Sequence, residues 1–151
     1  RIVTNLGEIV CGAALAERLE SEPGTLGLHI AQHRNHLETG KMIVWGDVYT
    51  DRKFSGITSQ ISEYQGFICD RIEEEYGITV GEIQQEIRPV IIPSTIRNAM
   101  ALPEGSRGLE ITRRYLNNQK SAAEVSINIF PQERSAYSIT LSWTQERAKD
   151  R

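Results

Sequence analysis

The chain has 151 residues, the size of one domain and enough to enclose a hydrophobic core. With 39% hydrophobic and 25% charged residues, it sits near globular norms, which excludes a collagen-like or wholly disordered chain and predicts a soluble folded domain. Its 17 Lys and Arg against 20 Asp and Glu give a formal charge of -3, so bulk charge leaves no footprint for nucleic acid here and any DNA contact is expected elsewhere.

The longest apolar runs, such as Val90 to Pro93, fall far short of the roughly 20 residues that span a bilayer, so no membrane span is expected. The two cysteines, Cys11 and Cys69, are too few for a disulfide scaffold and lack metal-ligand spacing. The reducing cytoplasm is the default compartment, and no metal or cofactor is expected.

The chain opens at Arg1 with no basic-then-apolar leader before Asn5, and it reads as a fragment of a longer protein. Pro23-Gly24-Thr25-Leu26-Gly27-Leu28-His29-Ile30 then aligns with Glu104-Gly105-Ser106-Arg107-Gly108-Leu109-Glu110-Ile111 at an offset of 81 residues. Leu15 and Leu19 match Ile96 and Met100 at the same offset. Each copy reads as a short helix, a Gly turn and a strand, followed by a polar loop (Asn35 to Lys41, Asn117 to Lys120) and a further strand. Two copies are too few for a solenoid, so a pseudo-symmetric single domain is expected.

Between the copies Ile61, Tyr64, Ile68 and Ile72 recur at helical spacing, with Gly77 placed to end the helix. The alternation of Ile83, Gln85, Ile87 and Pro89 with Glu82, Gln84, Glu86 and Arg88 predicts a strand, leading to an N-cap at Ser94 or Thr95. Tyr137, Ile139, Leu141 and Trp143 alternate with hydroxyl-bearing residues and predict a closing strand. The charged run from Gln145 to Arg151 reads as a solvated tail. Short turns between successive strands favour antiparallel pairing, and the fold class is α+β: an antiparallel sheet with helices packed on one face.

No nucleophile elbow, phosphate loop, His-Glu-x-x-His or Cys-x-x-Cys motif is present, and no catalytic residue is assigned. His29 and His33 share one strand face while His36 falls in a loop, an arrangement that reads as strand and loop histidines before it reads as a metal site. More informative is the row Glu124, Ser126, Asn128 and Phe130, opposite Val125, Ile127 and Ile129. Alternation aims a carboxylate, a hydroxyl, an amide and a ring the same way, as in a small-ligand site, although a solvated strand face has the same pattern. Arg34 continues the row Leu28, Ile30, Gln32, so its guanidinium needs an anionic partner, either a ligand or an internal acid such as Glu124. Arg113, the counterpart of Gln32, carries the same two readings.

The stretch Ile61-Ser62-Glu63-Tyr64 through Glu74-Glu75-Tyr76-Gly77-Ile78, then Glu82 to Ile87, then Asn98-Ala99-Met100-Ala101-Leu102-Pro103-Glu104-Gly105-Ser106, resembles the UTRA domain. So do the paired Arg113-Arg114 and the Ser-containing strand closing on an aromatic. In the first repeat, Ala16-Glu17-Arg18-Leu19, Pro23-Gly24-Thr25, Arg34 and Val48-Tyr49 fit as well, and the resemblance runs from about Asn5 to Trp143.

UTRA domains are the effector-binding domains of GntR-type bacterial transcription regulators of the HutC subfamily. The resemblance implies a chorismate-lyase-like fold with an internal pseudo-repeat, and a homodimeric cytoplasmic sensor, commonly of a repressor. It implies residues 1–144 as that domain, 145–151 as a tail, and DNA contact only through a preceding winged helix-turn-helix absent from this segment. A small polar or anionic effector is implied, with Gln32, Arg34, Glu124, Ser126 and Phe130 as ligand-facing positions. Gly46 stands where many members have Glu, Gln32 where sugar-phosphate binders can have a second Arg, and Phe130 where Tyr is common. A dimerisation domain without a ligand and an enzyme of the chorismate-lyase type are the alternative functions.

Overall fold

The structure is a computed structural model and describes residues 1–134 and 136–142. Its elements are β1 (Ile2–Val10), α1 (Ala13–Leu19), β2 (Leu26–Asn35), β3 (Met42–Asp51), a 3₁₀ helix (Arg52–Ser59), α2 (Ile68–Tyr76), β4 (Val80–Ile91), α3 (Ser94–Ala99), β5 (Arg107–Asn117) and β6 (Ala122–Pro131). The six strands form one antiparallel sheet in the order β1-β2-β3-β6-β5-β4. None of the described helices is long and apolar enough to cross a membrane.

The repeat read from the sequence is repeated in backbone detail. Glu20 and Ala101 both take the left-handed conformation, with φ 55° and 53°, and Gly24 and Gly105 follow at 85° and 78°. Cys11 N–H donates to the Thr25 carbonyl at 3.0 Å, as Ile92 N–H does to Ser106 at 2.9 Å. The Thr25 hydroxyl donates to the Glu22 carbonyl at 2.6 Å, and the Ser106 hydroxyl to Pro103 at the same distance. The unit is therefore strand-helix-strand-strand, one strand longer than the sequence reading, because β1 was not foreseen. The two units meet where β3 pairs with β6, from Trp45 opposite Ile129 to Thr50 opposite Glu124.

Helices cover both faces, not one as expected. Ile30 and Val48 point to the face closed by Phe54 and Ile57 of the 3₁₀ helix, by Ile61, and by Ile68 and Ile72 of α2. Val125 and Tyr49 point the other way and pack with Cys11, Ala16 and Leu19, so α1 lies behind the sheet. Arg18 of α1 reaches Glu110 at 2.6 Å, and Arg114 donates to the Arg18 carbonyl at 2.7 Å, fixing α1 across the back of β5. The segment between the repeats occupies the front face, which leaves the back for α1.

Three further expectations change. The helix expected from Ile61 begins only at Ile68, because the chain turns at Gln65-Gly66 and the carbonyls of Tyr64 and Gly66 accept from the Arg1 guanidinium and not from helical amides. Ile61 keeps its helical spacing because it enters the same core from a turn. The helix does end at Gly77, with φ 63°. The N-cap of α3 is Pro93, without a side-chain cap, in place of Ser94 or Thr95. Residues 136–142 form no strand, and Trp143 lies outside the described residues. Ile139 and Leu141 are exposed, since alternation supplies a face but no neighbouring strand to pair with.

Gly27 and Gly108, also 81 residues apart, both bring neighbouring backbone close. A Cβ on Gly27 would meet the Thr50 carbonyl oxygen at 3.0 Å, whereas on Gly108 it would fall well inside contact with the Phe130 carbonyl. Gly108→Ala is expected to cost about 1–3 kcal/mol and lower the melting temperature more than Gly27→Ala, as thermal denaturation of the two variants will show.

Candidate functional site

Register brings the positions expected to face a ligand onto the front face in rungs. Gln32 lies opposite Gly46, Gly46 opposite Asn128 and Asn128 opposite Ile111. On the next rung Ile30, Val48, Ser126, Arg113 and Gln85 run across the sheet, and on the third Leu28, Thr50, Glu124, Tyr115 and Ile83. Arg34, opposite Val44, stands one rung beyond Gln32 on the other side.

A cavity of about 670 Å³ covers this surface, and all five sequence-expected positions, Gln32, Arg34, Glu124, Ser126 and Phe130, line it. Its roof is the turn at Gln65 to Ile68, and Tyr137 closes one side.

Arg34 and Glu124 do not pair. They stand three rungs apart, roughly 20 Å along the strand direction, and Arg34 makes no hydrogen bond or ion pair among the described residues. Among the described residues, then, neither Glu124 nor another internal acid pairs with Arg34. Arg113 has partners: its Nε donates to Gln85 at 2.7 Å and its Nη2 to the Tyr137 hydroxyl at 2.9 Å, and that hydroxyl donates to Gln85 at 2.9 Å. The Phe130 ring meets Tyr137 edge-to-face at 6.1 Å. Phe130 lacks a hydroxyl of its own, and Tyr137 brings one to the same wall.

Glu124 is the most perturbed acid here. Burial pushes its carboxyl from the ordinary 4.5 up to about 8, and Asp70 adds to this, while the Arg1 guanidinium and a hydrogen bond from the Cys69 backbone N–H oppose it. Cys69, in the first turn of α2, is itself pushed up to about 12 by burial and by Glu124. Burial and the nearness of Glu124 also raise Tyr115. A neutral Glu124 at pH 7 is a hydrogen-bond donor, and its Oε2 is buried without a partner. Gln32 Oε1 and Arg1 Nε are likewise buried and unpaired on the same cavity. Each such atom costs about 1–3 kcal/mol unless something in the cavity bonds to it.

Gly46 makes room for this polar floor. A Cβ there would sit 2.6 Å from Asn128 Oδ1 and 3.5 Å from Gln32 Cγ. The Asn128 amide in turn donates to the Ser126 hydroxyl at 3.4 Å. A side chain at position 46 would displace the two amides that replace it.

Of the histidines only His33 borders the cavity, with its Nδ1 2.8 Å from Asn35 Oδ1 and its ring stacked on Trp45. His29 Nε2 is 2.7 Å from Asp47 and its ring stacks on Tyr49 behind the sheet, while His36 Nδ1 accepts from the Glu38 and Thr39 amides of its loop. Among the described residues no cluster of His, Cys, Asp and Glu could hold a metal ion. Sequence reasoning missed Arg1, Tyr115 and Tyr137. The period-2 row through Ile111 and Arg113 signals Tyr115, but nothing in the sequence folds Arg1 or Tyr137 back over the cavity.

The UTRA domain family matches residues 2–136. The chain belongs to that family. Several solved structures share its fold, including a GntR-family transcriptional regulator from Bacillus cereus, with 13% identity and a TM-score of 0.80 over 93% of this chain and 96% of the other. The C-terminal domain of Yurk from Bacillus subtilis aligns at 13% identity and 0.79, covering 93% and 94%. The effector domain of PhnF from Mycobacterium smegmatis aligns at 11% and 0.72, covering 94% and 86%, and a longer PhnF structure is covered to 62%. No curated protein matches the chain. A UTRA domain thus carries this cavity, and its six-stranded α+β fold is the chorismate-lyase-like one expected.

Glu124 also sets a pH dependence. Its carboxyl is ordinary in the unfolded chain and raised in the fold, so the native state holds an extra proton between about pH 4.5 and 8. Its contribution is complete below pH 4.5 and is lost as pH rises through that window, by about 5 kcal/mol at the upper end. Glu124→Gln removes the titration. The stability of the variant relative to wild type is therefore expected to increase from pH 5 to pH 8 in denaturant titrations. A constant difference contradicts a raised Glu124.

Proposed function

We propose that this chain, over residues 1–144 and followed by a charged tail at 145–151, is the effector-sensing and dimerisation domain of a cytoplasmic repressor of the HutC subfamily. In this reading a winged helix-turn-helix precedes it and makes the DNA contacts, and the domain converts a small-molecule signal into a change of operator affinity. Family membership supports the assignment, as does the 62% coverage of a longer PhnF chain, which leaves length for another domain in that regulator.

The observation that carries the sensing role is Arg34: a guanidinium on the cavity wall with no partner among the described residues. An anionic group of the effector docks there, beside Gln32 and Phe130. Ser126 and the neutral Glu124, at the other end, hydrogen-bond to polar atoms of an effector long enough to reach them. Their contacts are charge-assisted or to buried groups, the kind worth roughly 1.5–3 kcal/mol each. A domain that only dimerises has no use for three unpaired buried polar atoms around one cavity, and the sensing reading requires no covalent step.

A thermal-shift screen of carboxylated and phosphorylated metabolites tests this, because a ligand that binds only the native state raises its stability. Arg34→Ala is expected to melt near wild type, since no bond among the described residues is lost, and to bind the effector one to two decades more weakly. Unchanged affinity contradicts the anchor. Sedimentation of the domain at micromolar concentration is expected to give about twice 17.0 kDa, because two-fold regulators read paired half-sites.

A further inference from the structure

A second cavity of about 640 Å³ opens at one corner of the same sheet face, a mainly apolar trough formed by Pro89 and Ile91 of β4, Leu109 of β5 and Pro131 after Phe130, with Arg107 and Gln132 as its polar lining. Phe130 and Tyr137 line both cavities, so the two chambers share one wall. That wall is a single edge-to-face aromatic pair, and Tyr137 belongs to residues 136–142, which have no regular structure. Among the described residues its side chain is held by the Arg113 and Gln85 bonds and by the ring contact. Ile91 is 66% exposed and Leu109 36% exposed, so apolar surface stands open to water at the end of a polar site.

The placement relative to Arg34 is specific. Arg34 is one residue before the hairpin pairing of β2 and β3 shifts, and its partner Val44 neighbours Trp45, which pairs with Ile129 beside Phe130. Phe130 pairs with Leu109, and Leu109 with Pro89. Going straight across the sheet from Arg34 leads over Val44 and Phe130 into the trough. Three strand spacings of about 4.8 Å, roughly 14 Å, separate the backbone at Arg34 from that at Leu109.

We propose that the effector is an amphiphilic acid, whose anionic head docks on Arg34 and whose apolar chain or ring passes the Phe130–Tyr137 wall into the trough. This rests on the reading of Arg34 as the anion anchor and adds an apolar arm that runs across the sheet, separate from the polar arm that reaches along the strands to Ser126 and Glu124. Continuity with the polar cavity favours a ligand tail as the occupant over a protein segment, since one molecule then satisfies the unpartnered guanidinium and covers the apolar corner together. With about 3 Å of the roughly 14 Å span taken by the carboxylate–guanidinium contact, about 11 Å remains, an extended chain of about ten carbons.

The test uses straight-chain carboxylates from butanoate to dodecanoate, each below its micelle concentration, with affinity measured by calorimetry. Affinity is expected to rise about threefold to fourfold per methylene up to about ten carbons and then level off. Ile91→Glu, at an exposed position, is expected to fold normally, keep the weak binding of the short acids and lose the rise with length, while Arg34→Ala weakens every member. A flat series, or a rise unaffected by Ile91→Glu, overturns the tail site while leaving the Arg34 anchor to the metabolite screen. If no member binds, the amphiphile reading is wrong, and the anchor is again judged by that screen. If Ile91→Glu turns a dimer into monomers in sedimentation, the trough is a subunit contact and the proposal falls.

Discussion

The pairing of β3 with β6 is the interaction on which the rest of this structure depends. It joins two strand-helix-strand-strand units along a row from Trp45–Ile129 to Thr50–Glu124. Because side chains alternate with period two, that one register decides which residues of both units share the front face. A slip by one residue would send Ser126 and Glu124 to the back, against α1, and bring Val125 and Ile127 forward. The cavity is thus a consequence of joining the repeats, and neither repeat alone contains it.

The two units are not used alike. The segment between them covers the front of β2 and β3 with Phe54, Ile57, Ile61, Ile68 and Ile72. Nothing comparable among the described residues covers β4 and the outer part of β5, where Ile83, Ile87 and Ile91 remain exposed. A nearly symmetric sheet therefore carries an asymmetric site: a roofed end where Glu124 is fully desolvated, and an open end where Arg34 faces solvent. Desolvation keeps the acid neutral, while exposure keeps the guanidinium hydrated and available. The two ends therefore differ in chemistry, a donor of neutral hydrogen bonds at one and a guanidinium at the other.

Much of this was legible in the sequence because it is carried by local pattern. The offset of 81 residues located both Gly turns, and the alternation around Ser126 placed a polar row on one face. What was not legible depends on partners distant in the chain. Strand β1 lacks clean alternation, and its pairing with β2 shifts between Val3 and Asn5. The Ile61 to Ile72 spacing is helical, yet Arg1 captures the Tyr64 and Gly66 carbonyls and the helix starts later. Tyr137 to Trp143 alternates like a strand, but alternation cannot supply a neighbour. Sequence also left Arg34 with two possible partners, and only register, by putting Glu124 three rungs away, separates them.

The cavity holds unsatisfied buried polar groups, and Glu124 is kept there as a neutral acid. Infrared difference spectroscopy, wild type minus Glu124→Gln, observes that acid directly through its protonated carbonyl stretch. A neutral Glu124 gives a carboxylic-acid band at about pH 6.5 that yields to carboxylate bands above about pH 9, as expected for a carboxyl pushed up to about 8. A carboxylate signal already present at pH 6.5, with no acid band, would contradict it.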